Sequence, residues 1–317
     1  MIAPKRSLDR ATKIGLALGS GGARGAAHTG AMKVLAREGI EVSAVAGSSI
    51  GALVGAAHAV GIPVEQVEKE WLDTDVSKVF RGFLPTFPRA GLSSGNELRK
   101  LLGELLGDVR IEDLPIPYAA LACDIDTGRP HVFRDGSLLD AVRASTAIPG
   151  IFHPVRHGAQ LLVDGGLVDP VPVNVCRSLG ADLVIAIDIT PKPIPTTPRG
   201  REIWTRIGEQ LHEGLTQQTW VPNSLVELLE SIFRERPDRA RPLPGVYSIL
   251  NQSLSILLQE VLRQNLILHP PDVLIRPELS MSTMGYTRAA DGIRAGEAAA
   301  EAAMPEIRAL LAGREAA

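Results

Sequence analysis

The sequence predicts a three-layer α/β/α fold around a central, mainly parallel sheet. Short apolar runs without polar alternation recur along the chain, the pattern of strands buried on both faces. A helical periodicity separates the first two runs, making a strand–helix–strand unit whose strands are expected to lie parallel. The chain has 317 residues, 45% of them hydrophobic and 22% charged, enough to build a sizeable core and too apolar for a disordered chain.

The composition also excludes some partners. With 33 basic against 36 acidic residues, no basic run and only 4% aromatics, a nucleic-acid surface is not expected. Cys123 and Cys176 both lie in apolar surroundings and cannot build a disulfide framework or a zinc cage, which points to a reducing, cytoplasmic setting.

Taken in order, residues 1–13 form an N-terminal extension with Lys5, Arg6, Arg10 and Lys13. No apolar stretch follows them that would make a signal peptide. Residues 14–18 are the first strand, ended by glycine. A helix over 26–38 places Met32, Leu35, Ala27 and Ala31 on one face and closes at Gly39. A second strand covers 42–46 and a helix 50–58. The surrounding segment 50–64 is the most apolar long stretch, but Gly55, His58, Gly61 and Pro63 make it unfit to span a membrane. Membrane contact is therefore expected to be peripheral. A helix over 97–106 stops at Gly107, and strands are expected over 118–123, 161–163 and 183–189.

Regularity then breaks at Pro191, Pro193, Pro195 and Pro198. Residues 192–245 are read as a helical insertion, with helices over 201–218 and 224–234 carrying Trp204, Trp220 and Phe233. Buried packing is the default role of these aromatics; a lid over the cleft, a membrane-contact surface or an interface is the alternative. A helix over 246–268 and a strand over 273–275 complete a catalytic domain of 14–286. Residues 287–317 hold an Ala- and Glu-rich surface helix.

Chemistry concentrates in three places. Gly47-Ser48-Ser49-Ile50-Gly51 places a serine between a strand and a helix, with glycines two residues to either side. Such a turn lifts the hydroxyl clear of the backbone as a nucleophile. A second match, Gly91-Leu92-Ser93-Ser94-Gly95, follows a proline-rich stretch and is read as a loop capping the next helix. The second place is Gly19-Ser20-Gly21-Gly22-Ala23-Arg24-Gly25, between the first strand and first helix. A dinucleotide loop needs glycine where Arg24 stands, and a P-loop needs a Gly-Lys-Ser/Thr ending. Free amides at a helix start suit instead the transient oxyanion of acyl transfer. The third is Asp164-Gly165-Gly166, a carboxylate at the end of a buried strand with room for close approach. Asp135-Gly136 and Asp291-Gly292 lack that setting and read as turns. None of the seven histidines stands in a suggestive motif.

Together these residues resemble the patatin-like phospholipase family, above all its bacterial members. Gly19–Gly25 resembles its oxyanion loop, Gly47–Gly51 its nucleophile elbow and Asp164–Gly166 its Asp-Gly-Gly motif. The resemblance extends to residues 144–152, 169–173 and 271–279. It implies a Ser49–Asp164 dyad without histidine, in which Asp164 orients and deprotonates Ser49. The amides of Gly21, Gly22 and Ala23, joined by that of Ile50, are the candidates for the oxyanion hole. Arg24 would anchor the loop or meet an anionic head group. Gly19, Gly25, Gly47, Gly51, Gly165 and Gly166 would shape the turns. Ser20 stands where the family often has glycine. The implied activity is phospholipase A or lysophospholipase cleavage of a lipid or phospholipid ester through an acyl-enzyme, with no cofactor and no metal. The alternatives are a regulatory or scaffold protein with little turnover, and an α/β hydrolase whose base is His153, His157 or His269.

Overall fold

A computed structural model describes residues 12–74, 91–192 and 246–315. The two insertion helices expected over 201–218 and 224–234 lie outside the described residues, as does most of the N-terminal extension. In chain order the elements are β1 (Ile14–Leu18), α1 (Ala26–Arg37), β2 (Val42–Ser48), α2 (Ile50–Val60), α3 (Val64–Leu72), β3 (Gly91–Ser93), α4 (Asn96–Leu106), β4 (Tyr118–Asp124) and β5 (Pro130–Phe133). There follow α5 (Leu138–Ser145), β6 (Gly150–Phe152), β7 (Val155–His157), β8 (Gln160–Asp164), α6 (Val173–Ser178), β9 (Leu183–Ile187), α7 (Val246–Leu268), β10 (Val273–Ile275) and α8 (Ala289–Glu315).

The main sheet runs β10-β9-β1-β2-β4-β8-β7, with β5 also paired to β4. From β10 to β4 all pairings are parallel. Beyond β4 the sheet turns antiparallel, through β5, β8 and β7. This is a mixed α/β fold with a mainly parallel sheet between helices. Side chains of β1 alternate between its faces. Leu16 and Leu18 join the larger cluster, with residues of α1, α2, α5 and α8. Ala17 joins the smaller one, with Val173, Val175 and Cys176 of α6 and Leu262 of α7.

Four strands were not anticipated. β3, β5, β6 and β7 are three or four residues long and carry no sustained apolar run. Their pairing is decided by tertiary contacts rather than by local pattern. The C-terminal helix, read as a surface element, has one solvent face and one deeply buried face. Ile293, Ala300, Met304 and Ile307 are in the core, and a Cβ at Gly296 would lie 2.0 Å from the Ala27 carbonyl oxygen of α1. Small residues therefore let the backbones of α1 and α8 approach closely, which the Ala-rich composition conceals. No helix among the described residues is long and apolar enough to cross a membrane.

The register positions the site. Ser48 at the end of β2 pairs with Leu121 of β4, and Asp164 at the end of β8 pairs with Ala122 of the same strand. Residues 49 and 164 thus leave the sheet side by side across β4.

Candidate active site

Ser49 caps α2 with φ 56° and ψ −124°, and among the described residues no other non-glycine has positive φ. Such a conformation costs on the order of 1–3 kcal/mol and persists only where its surroundings enforce it. Here the enforcement is visible. The Ser49 N–H donates to Ser145 Oγ at 2.9 Å, and that hydroxyl donates to the Leu121 carbonyl at 2.6 Å. A Cβ at Gly51 would fall 2.2 Å from the Leu18 carbonyl oxygen, so the elbow and β1 fit together only with glycine there.

The strained turn aims Ser49 Oγ at Asp164, to which it donates at 2.5 Å with no imidazole between them. The other carboxylate oxygen accepts from the Gly166 N–H at 2.8 Å, and the Asp164 N–H donates to the Ala147 carbonyl at 3.0 Å. Asp164 is 7% exposed. Burial pushes its pKa up to about 6, against the bonds from Ser49 and Gly166 that pull it down. The carboxylate is therefore a stronger base than a solvated one, yet still ionised at neutral pH.

Gly19–Gly25 crosses beside this pair at the end of β1. The amides of Gly21, Gly22 and Ile50 have no acceptor among the described residues. A strained serine turn, a desolvated carboxylate and free amides at two helix starts occupy one edge of the sheet.

A profile of the patatin-like phospholipase family matches residues 16–177, just over half of the chain and the whole of this constellation. The chain belongs to the patatin-like phospholipase family. An uncharacterized NTE family protein of Mycobacterium tuberculosis is 39% identical over 178 residues, 56% of this chain and 49% of that one. Neuropathy target esterase sws of Drosophila melanogaster is 42% identical over 182 residues, 56% of this chain and 13% of that protein. This chain thus spans about half the length of its mycobacterial relative. Among solved structures, VipD from Legionella pneumophila aligns with 92% of this chain and 67% of its own, at 14% identity and a TM-score of 0.44.

One of the family-implied assignments needs correction. The Ala23 N–H is already used, donating to the Thr283 carbonyl at 2.8 Å, so it is not free to bind an oxyanion. The segment after β10 that carries Thr283 was not foreseen as a brace of this patatin-like loop. Ser20 and Gly19 are also tied down, their amides donating to Pro170 and Ile187. Arg24 is buried within the loop, and its Nε has no hydrogen-bond partner among the described residues. Desolvation lowers its pKa to about 10, opposed by the charge of Asp188.

Four supports of the site were not anticipated from the sequence. His28 is fully buried, with Nε2 2.8 Å from the Gly19 carbonyl; burial lowers its pKa to about 4, so it stays neutral and braces the loop as a donor. Its place one turn into the helix after the glycine loop was the available signal. Ser145 holds the elbow amide, and Ala147 holds the Asp164 amide. Asn265 of α7 donates to the Val168 carbonyl and to Asp169, tying that helix to the chain just after Asp164. Ser93 corrects the reading of the second serine motif. It ends a genuine strand, β3, before a helix, but its Oγ accepts from the Gly95 N–H at 3.2 Å instead of meeting a carboxylate.

Proposed function

We propose that this chain is a serine hydrolase of lipid acyl esters, of the phospholipase A or lysophospholipase type. The 2.5 Å contact between Ser49 Oγ and Asp164 is the observation that carries the reading. Asp164 takes the hydroxyl proton as Ser49 Oγ attacks the ester carbonyl, and the amides of Gly21, Gly22 and Ile50 receive the developing oxyanion. The protonated carboxyl then delivers its proton to the leaving alcohol, giving an acyl-enzyme. In the second half the same carboxylate deprotonates a water, which attacks the acyl carbon and releases the fatty acid. Because such substrates reside in membranes or micelles, the chain works as a cytoplasmic protein touching a lipid surface from outside. Arg24, buried within the loop, anchors it and does not reach an anionic head group.

Hydrolysis of a short-chain nitrophenyl ester tests the chemistry without a lipid surface. Ser49→Ala and Asp164→Asn should each abolish it. Normal turnover by a folded Asp164→Asn protein would remove the dyad.

A further inference from the structure

Of the eight large apolar residues that stand exposed among the described residues, six lie on α7: Ile249, Leu254, Ile256, Leu257, Ile267 and Leu268. Ile256 is 52% exposed, Leu257 62%, Ile267 63% and Leu268 68%. The opposite side of the helix is already in use. Leu262 is buried there, Gln259 donates to the carbonyls of Thr190 and Pro191, and Asn265 holds Val168 and Asp169. α7 therefore braces the catalytic edge with one face and shows apolar side chains on the other. Such a concentration marks a contact surface, whereas single exposed apolar residues do not.

The order of residues along that face narrows the partner. Ile256, Glu260, Arg263 and Ile267 follow one another at intervals of four, three and four, which places them in a single row along the helix. The row reads apolar, acid, base, apolar. Turned end for end it presents the same series with the two charges exchanged. Its four residues line one open groove of about 510 Å³, shared with Leu262, Leu266 and Arg276. Within one chain Arg263 Nη2 lies 2.7 Å from Glu260, and both side chains remain more than half exposed. Both charges are thus accessible to a second molecule.

We propose that this row is a two-fold interface between two copies of the chain, with their α7 helices antiparallel. Setting Ile256 against the partner's Ile267 brings Glu260 opposite the partner's Arg263, and the two-fold axis repeats both contacts. Two crossed ion pairs then lie between two apolar ends, and the groove receives the partner's isoleucines. A parallel pairing would set Glu260 against Glu260 and Arg263 against Arg263, so charge selects the antiparallel one. A lipid surface fits this row less well. Glu260 and Arg263 are the only charged residues of α7 and stand at the middle of its apolar row. A membrane helix would have to immerse them, and it lacks the flanking basic residues that such helices carry. A row of this length is a small contact beside the roughly 800 Å² per partner of a standard interface. The dimer is accordingly weak, with a Kd on the order of 10 μM.

Sedimentation velocity on the full chain, from about 1 to about 100 μM, tests it without reference to any enzymatic activity. The wild type should pass from monomer to dimer across that range. Ile267→Asp should weaken the dimer by about tenfold or more, by placing a charge in the apolar end of the seam. The decisive arm uses charge reversal in trans. Glu260→Arg alone sets arginine against arginine, and Arg263→Glu alone sets glutamate against glutamate, so each variant should stay monomeric at about 100 μM. An equimolar mixture of the two restores both ion pairs and should dimerise as the wild type does. A contact within one helix cannot be rescued by mixing two proteins.

A wild type that remains monomeric throughout overturns the proposal. Binding to phosphatidylglycerol vesicles that is lost in Ile267→Asp would then give the face to a lipid surface, and absence of that binding would leave it to residues 193–245 of the same chain. A dimer that ignores both charge reversals, or a mixture that stays monomeric, overturns the antiparallel arrangement even if Ile267→Asp fails to fold. Loss of all ester turnover with dimerisation intact would count against the hydrolase reading alone.

Discussion

Replacing Asp164 by asparagine should inactivate the protein and stabilise it. Burial lifts the carboxyl from its usual 3.8 to about 6, a shift of about 2 units. At 1.36 kcal/mol per unit, holding Asp164 ionised in the folded state costs about 3 kcal/mol at neutral pH. The sign follows from proton linkage. Between pH 4 and 6 the folded state binds more protons than the unfolded one, so this group favours folding most below pH 4, and that advantage is lost as pH rises through 6. Asparagine has nearly the same shape and no charge to desolvate. Asp164→Asn should therefore raise Tm at pH 8 by ~6 °C, taking about 2 °C per kcal/mol for a chain of this size. The gain should shrink through pH 6 and vanish near pH 4. The same carboxylate must be ionised to act as base, so wild-type kcat/KM should rise with pH through an inflection near 6 and fall about tenfold per unit below it. Thermal melts of both proteins from pH 4 to 8, beside a pH–rate profile on a soluble ester, measure both limbs. A stability difference that does not vary with pH, or an inflection near 4, would refute the reasoning.

Three further outcomes follow from the same geometry. Ser49→Gly should be more stable than Ser49→Ala by about 1–2 kcal/mol in urea unfolding, since only glycine occupies φ 56° without strain. His28→Leu should lower stability by about 1–3 kcal/mol by leaving the Gly19 carbonyl without its donor. It should also reduce kcat with little change in KM, because the oxyanion loop loses its brace. His157→Ala and His269→Ala should keep wild-type hydrolysis of a nitrophenyl ester; loss of activity in either would reinstate an imidazole base.

Much of the parallel half of the molecule was legible because its signals are local. Ile14–Leu18, Val246–Leu268 and Val273–Ile275 occur where apolar runs and periodicity placed them, and Ser49 and Asp164 stood out because strand context and glycines mark sharp turns. The remainder depends on partners distant in sequence. β5 and β7 form because β4 and β8 offer edges to pair with, and no run in their own residues announces it. Ala23 matched the family loop, yet its amide is consumed by Thr283, 260 positions further on. Arg143 is buried on α5, which its sequence does not announce, because a single arginine in a helix is ordinarily a solvated surface residue. Its partners, the carbonyls of Ser94 and His153, come from segments that the sequence does not place beside it.

The central claim is that Ser49 is a nucleophile activated by Asp164. Incubating the protein with a fluorophosphonate at pH 8 and mapping the adduct by mass spectrometry tests it most directly. The account predicts one phosphonyl group on the peptide containing Ser49, and sharply slower labelling in Asp164→Asn. A folded protein that resists the reagent, carries the adduct elsewhere, or labels at the wild-type rate without the carboxylate would contradict it.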